Sequence, residues 1–90
     1  MNLYREISVW ERGATGDLVR YKCLELLSNG RFCVQSADFY DPATDYGEQD
    51  RVFSEQFTEL LSDEAPEKRS RTFLTLQEAI EAHKREFKEL

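Results

Sequence analysis

The chain has 90 residues, of which 18 are acidic and 12 basic, giving a net charge of -6. This length predicts one folded domain, residues 1–90, and the hydrophobic content of 40% excludes a largely disordered protein. An acidic chain is disfavoured as a nucleic-acid binder, because such binding depends on neutralising phosphates with Lys and Arg. No apolar run approaches the ~18 residues of a membrane span. The start, Met1–Glu6, lacks the features of a secretory signal, so we expect a cytoplasmic protein without membrane contact.

The first half of the chain predicts an antiparallel meander of three strands. Leu3–Glu11 contains β-branched and aromatic residues and ends at a glycine-rich turn. From Asp17 onwards, apolar and polar residues alternate with the period of two that a half-buried strand requires. The dipeptide Asn29-Gly30 then predicts a two-residue type I′ turn, and the third strand follows at about Arg31–Tyr40.

The two-residue turn sets the expected register of strands two and three. It pairs Leu27 with Phe32 and Cys23 with Ser36. In this register Cys23 and Cys33 point to opposite faces of the sheet, so they cannot form a disulfide and should be free thiols.

The same register assigns the apolar residues to two faces of the sheet. Tyr40 falls on the face of Tyr21 and Cys23, and the other face carries further apolar residues, among them Leu24 and Leu26. A sheet with one solvated face would alternate more cleanly between apolar and polar residues. We therefore expect the second face to be covered too, by a helix or by a second copy of the chain.

A helix is predicted after an irregular, proline-containing segment. Its apolar face consists of residues at helical spacing, namely Phe53, Gln56, Phe57, Leu60 and Leu61. The same stretch also fits the alternation of a strand, and its content of Glu, Gln and Leu favours the helix.

The end of the chain predicts a second helix. Arg71–Leu74 could form a short fourth strand, and Thr75 and Glu78 then form a capping-box pattern at a helix start. The apolar stripe that follows consists of Leu76, Ala79, Ile80, His83, Phe87 and Leu90. We expect Ile80 and Phe87 to anchor this helix in the core. The predicted fold class is α+β, with a small antiparallel sheet of three or four strands packed by one or two helices, one of them C-terminal and amphipathic.

Residue types that carry chemistry are sparse. Two cysteines and the single His83 are too few for a structural zinc site, which needs about four ligands. The acids between Asp38 and Asp50 do not match the spacing of a calcium-binding loop, and no glycine-rich phosphate cradle is present. We expect no enzyme activity, no metal and no cofactor. A thiol enzyme that uses Cys23 or Cys33 with His83 is one alternative.

Acidic residues concentrate in the middle of the chain, where 38–67 holds ten acids and one base, Arg51. Tyr40 and Tyr46 flank the acidic loop that contains Asp41 and Asp45, and tyrosine beside carboxylates is a typical surface for binding basic groups of proteins. We predict that the protein is a small non-enzymatic protein-interaction domain, with a protein partner or self-association into a homodimer. An acidic inhibitor or immunity-type protein for a basic enzyme is a further alternative. The predicted partner-binding residues are Asp41, Asp45, Glu48 and Asp50.

Overall fold

A computed structural model describes residues 2–87 of the chain. The elements in chain order are β1 (Tyr4–Arg12), β2 (Leu18–Leu26), β3 (Arg31–Tyr40), α1 (Tyr46–Asp63), α2 (Pro66–Arg69) and α3 (Leu76–Phe87). The three strands form an antiparallel sheet in the order β1-β2-β3, so the predicted α+β class with a C-terminal helix is confirmed. None of the helices within 2–87 combines the length and the apolar character that crossing a membrane demands.

The turn between β2 and β3 is wider than predicted, because it contains the four residues 27–30. Of Asn29 and Gly30, only Gly30 has a positive φ, at +69°. A type I′ turn requires positive φ at both of its central residues. Both N–H groups instead donate to the carbonyl that ends β2, at 3.2 and 2.7 Å. Leu27 therefore lies in the turn and does not pair with Phe32.

The wider turn also changes the register of β2 and β3. Cys23 lies opposite Val34, so the predicted pair of Cys23 with Ser36 is wrong. Next to the turn the register differs from the predicted one by two residues, and a shift of two keeps each side chain on its face of the sheet. Cys23 and Cys33 accordingly pack in separate cores on opposite faces, and the prediction of two free thiols is confirmed.

A β-bulge in the middle of β3 moves the end of this strand to the other face. Lys22 lies opposite Ser36 whereas Cys23 lies opposite Val34, so Gln35 is an extra residue in β3. Beyond such a bulge the alternation of side chains is reversed. Tyr40 consequently leaves the face on which the sequence pattern places it and contacts α1.

Each face of the sheet is covered by a helix. Ala79 of α3 is buried against one face, and Phe57 of α1 is buried against the other. The stretch that fits both a helix and a strand is thus a helix, and the second sheet face is covered by the chain itself. The buried strand residues of the two hydrophobic clusters are Tyr21, Cys23 and Val34 on the α3 side, and Leu24, Leu26 and Cys33 on the α1 side.

The C-terminal part of the described chain departs from prediction in two places. The expected fourth strand is reduced to one bridge, in which the backbone groups of Phe73 and Phe32 exchange two hydrogen bonds of 2.8 Å. Ile80 packs against the core, but Phe87 is 49% exposed and does not anchor α3. Leu90 lies outside the described residues.

Candidate functional site

Four aromatic side chains meet where β1 and β3 lie beside the beginning of α1. The ring of Tyr40 lies 5.3 Å from that of Trp10, 6.1 Å from that of Tyr46 and 5.2 Å from that of Phe53, between centroids. Tyr40 is only 6% exposed, whereas Trp10 and Tyr46 are 51% and 46% exposed. We call these four residues the aromatic cluster. Its buried centre, Tyr40, therefore contacts two rings that are open to solvent.

The guanidinium group of Arg20, a residue of β2, packs against two rings of the aromatic cluster. Its central carbon lies 5.2 Å from the ring centroid of Trp10 and 5.4 Å from that of Tyr40, which is cation–π geometry. Arg20 Nη2 lies 2.8 Å from Asp50 Oδ1, and the arginine side chain is only 13% exposed. Its charge is paired inside the protein, so Arg20 orients the rings and is not available to bind an anion.

Asp50 connects α1 to the aromatic cluster. Its Oδ1 accepts a 2.7 Å hydrogen bond from the Tyr40 hydroxyl. This bond, together with the charge of Arg20, lowers the pKa of Asp50. Burial and the same bond raise the pKa of Tyr40. Because a general acid or base works best with a pKa near the working pH, this pair is unsuited to proton transfer at neutral pH.

A second ion pair lies deeper under α1. Lys22 and Asp38 are both buried, with 3.4 Å between Lys22 Nζ and Asp38 Oδ2, and the ammonium lies 5.3 Å from the ring centroid of Phe57. Together with Arg20 and Asp50 they form a network without net charge. Such a network orients the packed elements, and removal of one member leaves a buried charge unpaired.

Two of the predicted partner-binding residues shape the loop before α1. Asp45 is the N-cap of the helix, and its Oδ1 accepts hydrogen bonds from the N–H groups of Gly47 and Glu48 at 2.7 and 3.2 Å. The side chain of Asp41 accepts a 2.9 Å bond from the N–H of Ala43, and Gln49 Oε1 accepts a 2.8 Å bond from the N–H of Asp41. Both aspartates remain exposed while they do this.

The other two predicted residues have different surroundings. Glu48 is exposed in the first turn of α1 and forms an ion pair with Arg51, which lowers the pKa of the Glu48 carboxyl. Asp50 accepts the hydrogen bond from Tyr40 of the aromatic cluster and pairs with Arg20. Trp10 is the main residue that sequence analysis did not select. Its contact with Tyr40 depends on the bulge in β3, which no sequence pattern indicates.

The thiols have the wrong environment for nucleophilic catalysis. Cys23 and Cys33 are fully buried, and burial raises their pKa values to about 12 and about 11. The nucleophile would have to be a thiolate. His83, whose pKa is lowered by burial, packs 4.5 Å from the ring of Phe87 on the face opposite to Cys33. Among residues 2–87 no group of three side chains could hold a metal ion.

A groove of about 920 Å³ lies beside α3, on the other face of the sheet. Its walls include Tyr21 and the exposed rings of Phe39 and Phe87, with Glu11 and Lys84 joined by a 2.9 Å ion pair at its margin. Phe39 is 69% exposed and directly precedes Tyr40 in the chain. The molecule thus exposes aromatic side chains on both faces of the sheet.

The aromatic cluster and the neighbouring acids form one exposed surface. We define the aromatic–acidic surface by its solvent-facing members, namely Trp10, Tyr46, Asp41, Asp45 and Glu48. These side chains can stack on a ligand, attract positive charge and accept hydrogen bonds. No protein-family model matches the chain, and neither a curated protein nor a solved structure shows a significant similarity to it.

Proposed function

We propose that this protein is a small non-enzymatic protein-interaction domain whose aromatic–acidic surface binds a basic segment of a partner protein. The observation that carries the proposal is the pair of half-exposed rings, Trp10 and Tyr46, in contact with the buried ring of Tyr40. Tryptophan and tyrosine are enriched among the residues that dominate binding energies, because they bury a large area at a small entropic cost.

The surface is organised before any partner arrives. Arg20 stacks on Trp10 and Tyr40, and Asp50 holds both Arg20 and the Tyr40 hydroxyl. Asp45 fixes the start of the helix that carries Tyr46. Side chains that are ordered in the free protein lose less entropy on binding, so more of the contact energy contributes to affinity.

Charge favours a basic partner for this surface. Asp41 and Asp45 expose carboxylates that are in no ion pair within 2–87, and Glu48 adds a third carboxylate that is partly neutralised by Arg51. A lysine or arginine placed on the ring of Trp10 would gain about 0.5 to 2 kcal/mol from the cation–π interaction. The surrounding carboxylates would accelerate its approach.

Fluorescence provides a direct test, because Trp10 is the only tryptophan of the chain. We expect peptides rich in Lys and Arg to change its emission on titration, and peptides with Glu at the same positions to have no effect. Tyr46→Ala should weaken binding of the basic peptides by at least about tenfold, the effect of a contact worth roughly 1.4 kcal/mol.

Phe39→Ala is the matched control, since Phe39 is an exposed aromatic residue on the opposite face of the same sheet. It should bind the basic peptides as the unchanged protein does, with folding verified by circular dichroism. If basic peptides leave the emission of Trp10 unchanged, or if Phe39→Ala weakens binding as much as Tyr46→Ala, the proposal is wrong.

A further inference from the structure

In the part of the chain that the structure describes, the outer edge of β1 is free along its whole length. β1 is an edge strand of nine residues, and within 2–87 no segment pairs with its outer side. The edge of β3 is different, because Phe73 forms a bridge with Phe32 and the Ser70 hydroxyl donates to the Val34 carbonyl at 3.4 Å. A long edge strand with free N–H and C=O groups can accept an added strand.

The hydrogen bonds at both ends of β1 identify the outward groups. The N–H of Leu27 donates to Leu3 O at 3.0 Å, and the N–H of Gly13 donates to Asp17 O at 2.8 Å. In an antiparallel pair, residues bonded to the partner alternate with residues whose N–H and C=O point away. The odd-numbered residues of β1 therefore bond to β2. The outward backbone groups belong to Tyr4, Glu6, Ser8, Trp10 and Arg12.

We propose that two copies of the chain pair antiparallel through β1 and form a continuous six-stranded sheet across a two-fold axis at Ser8. Full overlap of two Tyr4–Arg12 strands places Ser8 opposite Ser8 of the second copy and Tyr4 opposite Arg12 of the second copy. Every even-numbered residue then faces an even-numbered one. The outward N–H and C=O groups can thus form roughly ten hydrogen bonds between the two chains.

The side chains of β1 on the α3 side of the sheet are complementary in this register. On the α3 side, Arg5 lies opposite Glu11 of the second copy and Ile7 lies opposite Val9, and the two-fold axis repeats both pairs. Opposite charges and apolar residues in directly opposed positions stabilise paired strands. A slip by two residues in one direction would place Arg5 opposite Val9, and in the other direction Ile7 opposite Glu11. The order of residues therefore favours the fully overlapped register.

The existing contacts of these charged residues permit the new pairs. Arg5 is 64% exposed at its side chain and pairs with Glu25 of the neighbouring strand. Glu11 accepts 2.9 Å hydrogen bonds from Lys84 and Tyr21, one on each carboxylate oxygen. A carboxylate has about four acceptor positions, so Glu11 can also bind a guanidinium.

Sedimentation equilibrium of the full chain tests the dimer. Between about 1 and 200 μM, a range that spans micromolar affinity, we expect the mass to rise from 10.6 kDa towards twice that value. Ser8→Pro removes an outward N–H and blocks strand addition, and proline is tolerated in an edge strand because no bond to β2 is lost. It should raise the dissociation constant at least about tenfold, whereas the control Ser8→Ala should change it less than about twofold.

A charge exchange tests the register independently of Ser8. Arg5→Glu places acids opposite acids and Glu11→Arg places bases opposite bases, so each variant alone should dimerise more weakly. A mixture of the two variants restores both opposite-charge pairs and should form a heterodimer. If circular dichroism shows that Ser8→Pro does not fold, the charge exchange still tests whether the chains pair through β1.

Two results would overturn the inference. One is a wild-type mass that stays at 10.6 kDa over the whole concentration range. The other is a dimer that neither Ser8→Pro nor the charge exchange affects, which would assign association to another surface such as the groove beside α3. Trp10 belongs both to the outward edge of β1 and to the aromatic–acidic surface, but Ser8→Pro leaves the Trp10 side chain unchanged. Binding of basic peptides by Ser8→Pro therefore reports on the proposed peptide-binding function in the absence of the dimer.

Discussion

At the scale of single residues, Asp50 has the most connected position in the candidate site. It is the residue of α1 that binds both the Tyr40 hydroxyl and the Arg20 guanidinium. If this carboxylate were neutralised, the only anion left beside the Arg20 guanidinium within 2–87 would be Asp38, whose Oδ2 lies 3.6 Å from Arg20 Nη2. Arg20 would then be held less firmly against the rings of Trp10 and Tyr40, and the aromatic cluster would lose its orientation. Asp50 is thus a positioning residue for Trp10 and does not itself need to touch a partner.

Asp50→Asn should lower the stability of the protein at neutral pH and reduce its sensitivity to acid. The pKa of Asp50 is lowered in the folded state, mainly by the bond from Tyr40, so the unfolded chain binds the proton first as the pH falls. This carboxylate therefore stabilises the fold above its ordinary pKa of about 3.9, and that stability is lost as the pH falls through and below this value. Urea unfolding from pH 3 to 7 measures the difference.

Asp63→Asn is the control for this experiment, because Asp63 is an exposed acid at the end of the same helix and forms no ion pair within 2–87. Its unfolding free energy should follow that of the wild-type protein across the pH range. If the free energy of unfolding changes with pH in the same way for the wild type and for Asp50→Asn, the bond from Tyr40 contributes nothing to stability.

The residue contacts of the site were only partly predictable from sequence. The acidic charge and the tyrosines of this segment predict that Asp50 and Tyr40 lie at or beside a binding surface. The contact of Tyr40 with Trp10 was not predictable, because strict alternation places Tyr40 on the α3 side. The extra residue Gln35 reverses that assignment, and a bulge of this kind depends on how two distant strands pair.

At the scale of secondary structure, the capping-box pattern was a reliable signal and the Asn-Gly turn pattern was not. Thr75 begins α3 by accepting a 3.1 Å bond from the N–H of Glu78, as the capping-box pattern predicts. Such caps depend on residues within one turn. The turn at Asn29-Gly30 depends instead on how β2 and β3 pair over their whole length, and with Leu26 opposite Arg31 the observed pairing leaves four residues, 27–30, in the turn.

The two phenylalanines at the centre of α1 and the end of α3 should differ strongly in their contribution to stability. Phe57 is buried against the sheet, so Phe57→Ala should lower the free energy of unfolding by about 3 to 5 kcal/mol. Phe87 is half-exposed, and Phe87→Ala should cost less than about 1.5 kcal/mol. Chemical denaturation compares them. Equal losses at both positions would mean that Phe87 packs in the core, as its place in the apolar stripe predicts.

At the scale of the whole molecule, the α+β arrangement follows from the apolar pattern of the sequence. Two apolar sheet faces require two covers, and two amphipathic segments supply them, one packing Phe57 and the other Ala79. The pattern does not tell which surfaces remain open, because both helices pack against β3 and leave the outer edge of β1 free. The two proposed interaction surfaces, one aromatic and acidic and one a strand edge, exist because the helices cover the sheet unevenly.

The acidic part of the aromatic–acidic surface should determine how salt affects partner binding. The variant that tests this combines Asp41→Asn, Asp45→Asn and Glu48→Gln. Asparagine keeps the side-chain oxygen that caps a helix or closes an Asx turn, so the local structure should be retained while three charges are removed. At low ionic strength we expect the variant to bind basic peptides about fivefold more weakly than the wild type, with a smaller loss when salt is added.

The control for this variant carries the same change in net charge elsewhere on the molecule. It neutralises exposed acids at the other end of α1 and just after it, through Glu59→Gln, Asp63→Asn and Glu64→Gln. Charges more than ~10 Å from a ligand are largely screened at 0.1 M salt. If the carboxylates beside Trp10 and Tyr46 attract the peptides, this control should therefore keep most of the affinity and salt dependence of the wild type. If both triple variants weaken binding equally, only the net charge of the protein attracts the peptides, and the acids before and within the first turn of α1 are ordinary solvated surface.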